Sequence, residues 1–191
     1  INEEPEVIRK TLNSLLNKDL INLDKYITKK YNKICIIGCG SAIHAGMIGK
    51  YLIEEYANIP VDIEIASEFR YKNNFLDENT LVIPISQSGE TADTLEALKL
   101  TKNHNCDSLG IINVKESSIA RICNNVLYIE AGPEIAVATT KAYLAQVLVL
   151  TLIAIYLGRK YNNLKYENEK KLINELKSLP VFLETVINND L

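Results

Sequence analysis

The sequence predicts an α/β protein in which a five-stranded parallel sheet lies between two layers of helices. Five short segments are typical of strands because they are continuously apolar or alternate between apolar and polar residues: 33–38, 60–66, 81–85, 109–113 and 126–129. Helical patterns cover residues 40–56, 91–103 and 117–123 between them, and 139–157 after the last strand. Strands that alternate with helices require crossover connections, which make the sheet parallel and cover both of its faces.

The strand segments differ in how deeply they are predicted to be buried. The runs at 33–38 and 81–85 are continuously apolar, which indicates strands covered on both faces. Asp62 and Glu64 alternate with apolar residues, as in an edge or half-exposed strand. Pro84 would remove one ladder hydrogen bond from a central strand. It lies one residue from the strand end, so the strand remains the better interpretation.

The two ends of the chain are predicted to be helical. Residues 5–31 carry two helical patterns, with Pro5 suited to a first turn. Residues 166–188 form a charged amphipathic segment, which we expect to be a helix broken near Pro180. These boundaries divide the chain into a helical lead-in at 1–31, a ligand-binding domain at 32–160 and a C-terminal helical segment at 161–191.

The apolar run at 142–157 contains Gln146 and Thr151 and falls short of the ~20 residues of a membrane span. A buried helix is therefore expected.

The net charge of −3 supplies no basic field for nucleic acid. Four cysteines without a C-x-x-C pair, beside only two histidines, argue against zinc and favour free thiols in a reducing cytosol. The sequence begins with Ile1 and shows no secretory leader, so we expect a cytoplasmic piece of a longer protein.

Two loops have the composition of ligand-binding loops. Residues 38–41 and 86–91 each follow a buried strand and precede a helix, which is where ligands bind in open parallel sheets. Free N–H groups and the positive end of the helix dipole favour an anion there. Gly89 permits a tight turn, and the hydroxyls of Ser86, Ser88 and Thr91 can donate to phosphate oxygens. The pattern favours a phosphate site.

Three other interpretations of these loops are helix capping, a nucleoside triphosphate site and a dinucleotide site. Ser88 and Thr91 could serve only as helix N-caps. A nucleoside triphosphate is disfavoured because neither loop has the lysine of a G-x-x-x-x-G-K-[ST] motif. Ile43 stands where a dinucleotide fingerprint needs its third glycine, although Glu64 leaves a ribose-binding acid open. A neutral cradle of hydroxyls and amides suits one phosphate monoester, of which a sugar phosphate is the natural candidate.

Three segments resemble one known family. They are SQSGETADT at 86–94, IEIASEFRY at 63–71 and AGPEIAVATTKAY at 131–143. Together they are similar to the isomerase part of the glucosamine-6-phosphate synthases, or glutamine–fructose-6-phosphate aminotransferases (isomerizing). The domain type is the sugar isomerase (SIS) domain. S-Q-S-G alone would fit any SIS protein, whereas the other two segments in this order point to the synthases. With its helical lead-in, the chain resembles the first of their two tandem SIS domains.

The resemblance implies a set of site residues for fructose 6-phosphate or glucosamine 6-phosphate. They are Ser41, Ser86, Gln87, Ser88, Thr91, Val137 and Thr139. The family loop usually reads C-G-T-S, whereas this chain has Ser41 at the threonine and Ala42 at the serine. The family's catalytic glutamate, histidine and lysine all follow this segment, so no catalytic residue is expected here. The implied enzyme uses neither a metal nor an organic cofactor and also contains a glutaminase domain.

The resemblance leaves a second hypothesis open, a stand-alone SIS module that senses a sugar phosphate. It also leaves two possibilities for the helix at 139–157, which either threads the core or packs against another SIS domain. We expect an exposed apolar surface that favours a homodimer.

Several charged residues near the loops are candidates for proton transfer, ligand contact or covalent chemistry. Glu90 and Asp93 are expected to complement a helix dipole rather than shuttle protons. Glu134 precedes the apolar helix and could face the ligand. Lys141 is expected to be a solvated end or an ion-pair partner rather than a Schiff-base lysine. Two histidines, His44 and His104, are expected to be structural or exposed.

Overall fold

A computed structural model describes residues 1–17, 20–135 and 138–190. Its centre is a five-stranded sheet with the order β4-β3-β5-β6-β7, in which every neighbouring pair is parallel. The strands are β3 (Lys33–Gly38), β4 (Val61–Ile65), β5 (Thr80–Ser86), β6 (Asp107–Ile112) and β7 (Asn125–Tyr128). The predicted sheet is confirmed, with boundaries within two residues of those expected.

Burial of the strands follows their sequence patterns. All seven residues of β5 are buried, as are residues 34–38 of β3. The edge strand β4 exposes Asp62, which pairs with Lys33 at 2.5 Å. Pro84 lies within β5 opposite Ile37, while the pairing with β6 is interrupted between Val82 and Ile85. The strand therefore accommodates its proline without leaving the sheet.

Helices cover both faces of this sheet, which makes three layers. They are α1 (Glu4–Leu15), α2 (Ser41–Ala57), α3 (Ala66–Phe69), α4 (Ala92–Thr101), α5 (Ser118–Ile122), α6 (Lys141–Lys160) and α7 (Tyr166–Asp190), with a 3₁₀ turn at Lys102–His104. The larger core joins one sheet face to α1, α2 and α6, and the smaller core lies under α3, α4 and α5. Glycines at 46 and 49 let α2 approach Ile36 and Leu150 closely.

The prediction of two helices before residue 31 was wrong for the second one. After α1 the chain forms a small antiparallel pair, β1 (Leu16–Asn17) with β2 (Leu20–Ile21), and then a single turn at residues 23–27. Carbonyl oxygens that a helix would use are taken by α6: Arg159 donates to Ile21 O at 2.8 Å and Lys160 donates to Ile27 O. Those tertiary bonds hold the segment in an irregular course.

The expected break near Pro180 was also wrong, since α7 continues through the proline. Pro180 is buried, and Leu179 and Leu183 beside it pack against the larger core. Beyond the proline, Glu184 accepts a hydrogen bond from Arg9 of α1 at 2.5 Å. Contacts on both sides of Pro180 thus offset the loss of one helical hydrogen bond.

Helix α6 threads the core. It is long and apolar enough to cross a membrane by length and composition, but 78% of that stretch is buried inside the protein. None of its residues is exposed. Exposed apolar side chains lie instead on α2, at Met47, Ile48 and Tyr51, and on the outer part of α7. The surface expected for self-association is therefore not on α6.

Candidate functional site

The site lies where the strand order reverses. The chain passes from β3 to β4 on one side and then returns to place β5 on the other side of β3. The loops that follow β3 and β5 therefore lie side by side at the carboxyl edge, each leading into a helix, α2 and α4. Ligands of open parallel sheets bind in the crevice that such a reversal creates.

A cavity of about 260 Å³ opens between these loops and the start of α6. Its lining comprises Cys39, Ser41, Ala42, Ile85, Ser86, Gln87, Ser88, Thr91, Glu134, Thr139 and Gln146. Six of the seven residues predicted for the ligand are thus brought together. The seventh, Val137, lies outside the described residues, so its role stays a prediction.

The loop at 86–91 is organised by its own hydroxyls. The Ser86 side chain is 2% exposed, shares a hydrogen bond with the Thr91 hydroxyl at 3.0 Å, and accepts one from Gly89 N–H at 2.9 Å. Ser88 Oγ accepts from Glu90 N–H at 3.2 Å. Gly89 has a φ of +67°. These bonds fold the loop into a tight cup whose hydroxyls retain capacity toward the cavity.

The capping alternative is not what the geometry shows. Thr91 occupies the N-cap position of α4, but its side chain makes no capping hydrogen bond and contacts Ser86 instead. The N-cap of α2, Gly40, offers no side chain at all. The first N–H groups of both helices therefore remain without a side-chain cap. Two helix N-termini of this kind favour an anion at the loop end of the cavity.

The charges of the cavity are distributed unevenly. No lysine or arginine is among the described residues that line it, and Glu134 is the charged one. The Glu134 carboxylate accepts from the Thr139 hydroxyl at 2.8 Å and from Thr140 N–H at 2.9 Å, at the start of α6. An anion is therefore favoured beside the 86–91 loop and disfavoured beside Glu134. The region beside Glu134 instead suits hydroxyl groups of a ligand, which can donate hydrogen bonds to the carboxylate.

Acidic residues near the loops have structural partners. Glu90 accepts from Ser118 N–H at 2.8 Å, and hydrogen bonds from the Ser118 side chain and backbone lower the pKa of the Glu90 carboxyl. Asp93 lies 3.5 Å from Arg70. Glu64, the candidate ribose-binding acid, pairs with Lys72 at 2.6 Å and does not line the cavity. Neither a proton-shuttling pair nor a dinucleotide site is supported.

The basic candidates likewise have structural positions. Lys141 is buried and pairs with Glu3 at 2.7 Å, which confirms the ion-pair prediction. His44 and His104 are both exposed. Within the described residues, no group of three or more His, Cys, Asp or Glu side chains is placed to hold a metal ion.

The four cysteines are free, as predicted. Burial raises the pKa of Cys106 to about 11 and also raises the pKa of Cys35, so both thiols stay protonated near neutrality. Such cysteines behave as small apolar residues of the core. Cys39, in the first loop, lies at the cavity.

Sequence reasoning missed one cavity residue of chemical interest, Gln146. In the sequence, Gln146 is only a polar residue within the apolar run at 142–157. The structure places it on α6, 2% exposed and lining the cavity. A lone glutamine in so apolar a helix was the available signal, but the helical pattern does not say which side chains face a cavity.

Comparison with known proteins agrees with this geometry. The SIS domain family matches residues 26–156. The chain is 46% identical over 196 residues to the glutamine–fructose-6-phosphate aminotransferase [isomerizing] of Clostridium tetani, covering 100% of this chain and 32% of that protein. It is 40% identical to the Thermus thermophilus protein of the same name, again covering 32% of it. The chain thus spans about a third of the length of these relatives.

Among solved structures, the C-terminal domain of glucosamine-fructose-6-phosphate aminotransferase from Francisella tularensis is similar throughout. It superposes with a TM-score of 0.94 at 38% identity, over 99% of this chain and 55% of that one.

Proposed function

The chain belongs to the SIS domain family, and from this premise we propose that it is the hexose 6-phosphate-binding domain of a glutamine–fructose-6-phosphate aminotransferase (isomerizing). The observation that carries the proposal is the cup formed by residues 86–91 beside the start of α2. It offers hydroxyls and uncapped helix N-termini without a basic side chain. Such a cup suits one phosphate monoester.

The rest of the cavity supports a sugar attached to that phosphate. About 260 Å³ accommodates a small molecule. Thr139 and Gln146, which lie outside the 86–91 loop in the sequence, supply further polar groups to the lining. Ala42 contributes no hydroxyl where the resembling family has a serine, so the phosphate depends more heavily on Ser86, Ser88 and Thr91.

In the whole enzyme, glutamine and fructose 6-phosphate would give glutamate and glucosamine 6-phosphate. The described residues lining the cavity provide binding, and the proton-transferring groups of the family belong to other parts of the enzyme. This domain, proposed as the first of two SIS domains, would bind the sugar phosphate without turnover. We also propose a cytoplasmic homodimer.

The proposal is tested by calorimetric titration of the chain with fructose 6-phosphate and glucosamine 6-phosphate. Ser88→Ala is the informative variant because the Ser88 hydroxyl faces the cavity and holds only Glu90 N–H. Loss of a hydroxyl–phosphate hydrogen bond, worth about 1.5–3 kcal/mol, should weaken binding at least tenfold. Ser178→Ala, on the exposed face of α7, is the matched control and should bind like the parent.

Three results would contradict the proposal. If Ser88→Ala binds the hexose phosphates as tightly as the parent, the cup does not hold the phosphate. If NAD raises the melting temperature and hexose phosphates do not, the dinucleotide alternative is favoured. A full-length protein that binds the sugar phosphate but forms no glucosamine 6-phosphate would favour the sensing module.

A further inference from the structure

Gln146 is a polar side chain in the most apolar helix of the protein. It is 2% exposed, and its carboxamide oxygen, Oε1, has no hydrogen-bond partner among the residues that the structure describes. A buried amide oxygen without a donor is destabilising, since it has lost its bonds to water and gained none. An apolar residue at this position would pack without that cost. The oxygen therefore points to a donor that arrives from outside the chain.

The same residue lines the cavity, and a turn of its amide about the last side-chain bond would bring Oε1 to a donor bound there. Gln146 belongs to the part of the lining contributed by α6 and the segment before it, together with Glu134 and Thr139. A phosphate dianion brings acceptor oxygens and so cannot satisfy Gln146 Oε1. A hydroxyl group brings a proton and can. The unpartnered oxygen thus selects for the hydroxylated part of a ligand.

We propose that Gln146 is a specificity-determining residue of the site, whose Oε1 accepts a hydrogen bond from a hydroxyl of the bound sugar phosphate. The inference rests on the proposed function, because it takes the phosphate to be held by residues 86–91. It assigns different parts of the ligand to different parts of the cavity. The 86–91 cup recognises the phosphate, and Gln146 distinguishes a polyhydroxylated ligand from a bare phosphate monoester.

The test compares two ligands that share a phosphate monoester. Fructose 6-phosphate carries hydroxyls, and ethyl phosphate carries none. Each is measured by isothermal titration, with ethyl phosphate determined by its competition against the sugar phosphate. Gln146→Met keeps the side-chain length and removes the oxygen, whereas Gln146→Asn keeps the amide but withdraws it by one methylene. Thr151→Val removes a polar group from the same helix outside the cavity and is the matched control.

We expect Gln146→Met and Gln146→Asn to weaken fructose 6-phosphate about tenfold while leaving ethyl phosphate unchanged. The control should leave both affinities unchanged. Without ligand, Gln146→Met should melt at a higher temperature than the parent, since it removes an unpartnered buried oxygen. That melt also establishes that the variant folds.

The outcomes separate this inference from the proposed function. A parent chain that binds neither ligand overturns both. A parent that binds fructose 6-phosphate, together with a Gln146→Met variant that binds it equally well, overturns the inference alone; an internal water would then be the donor. Equal losses for both ligands would also overturn it, because Gln146 would then act on the phosphate.

Discussion

Gly89 is the residue on which the shape of the 86–91 cup depends most. Its φ of +67° is strained for any residue with a side chain. A Cβ there would lie 1.9 Å from Ser117 Oγ and 2.5 Å from Ser117 Cβ. Gly89→Ala should therefore lower the free energy of unfolding by about 2–4 kcal/mol, from left-handed strain and overpacking together. It should also weaken sugar-phosphate binding, because the cup must move away from Ser117.

The control for this prediction is Gly132→Ala. Gly132 has nearly the same φ, +64°, but no described residue has an atom within 4 Å of the position of its Cβ. Urea denaturation should show a loss of only about 1–2 kcal/mol for that variant, from strain alone. Equal losses for the two variants would mean that contact with Ser117 contributes nothing.

The location of a site residue was predictable where its position along the chain, directly after a strand, determines it. Ser86, Ser88 and Thr91 follow a buried strand, so their place at the sheet edge follows from the strand pattern. The bond between Ser86 and Thr91 was not predictable, because a threonine before a helix more often caps it. Gln146 could not be assigned either, since the apolar helix that carries it is buried on every side.

Among the elements, α2 is joined to strand β4 by Lys50, which donates to Val61 O, and by the carboxylate of Glu54. Glu54 Oε1 accepts from Lys50 Nζ at 2.7 Å and from Val61 N–H at 3.0 Å. These hydrogen bonds, with the charge of Lys50, lower the pKa of the Glu54 carboxyl below its ordinary value. The folded protein therefore keeps this group ionised at a lower pH than the unfolded chain does. Its contribution to stability is present above about pH 4.5 and is lost as the pH falls through the folded-state pKa.

Glu54→Gln should cost about 0.5–1 kcal/mol of unfolding free energy at pH 7, the ordinary range for a half-exposed pair. The cost should shrink as the pH falls from 4.5 toward 3, because the unfolded chain takes up a proton first and the folded carboxyl follows. Urea denaturation at pH 7 and at pH 3 measures this cost in unfolding free energy. Glu55→Gln is the matched control on the exposed face of the same helix and should have little effect. A cost for Glu54→Gln that is unchanged at pH 3 would contradict the ionic origin.

Elements formed as predicted wherever a local pattern coincided with a packed layer. The five strands did so because their apolar residues are buried between the sheet and the two helix layers. The segment after α1 did not, although Leu23, Ile27 and Tyr31 recur at helical spacing and are all buried. Arg159 and Lys160, more than a hundred residues away, bind the carbonyl oxygens there. A local pattern contains no information about such partners.

At the scale of the whole molecule, strand order turns two separate loops into one cavity. The alternation of strands and helices predicted a parallel sheet, but not that β3 and β5 would be neighbours with β4 outside them. That order makes the starts of α2 and α4 adjacent, so the cavity has two uncapped helix N-termini as well as the Glu134 carboxylate. The proposed function depends on this arrangement more than on either loop alone.

The outer face of α2 is the surface on which the proposed homodimer is most readily tested. Met47, Ile48 and Tyr51 are 40%, 39% and 71% exposed and follow one another at helical spacing, while the opposite face of α2 packs against α6. An exposed apolar stripe of this kind is typical of a contact surface. If two chains associate through it, Tyr51→Glu should raise the dimer dissociation constant at least tenfold, because a carboxylate would be buried without a partner.

Sedimentation equilibrium over a range of protein concentrations measures that constant. Tyr71→Glu makes the same change at a tyrosine 74% exposed at the end of α3, and should dimerise like the parent. A parent that stays monomeric at every concentration would remove the homodimer proposal. A dimer that both variants weaken equally would place the contact elsewhere, since only one of the two tyrosines lies on α2. A loss confined to Tyr51→Glu would instead locate the dimer contact on α2, the helix whose first residue, Ser41, lines the cavity.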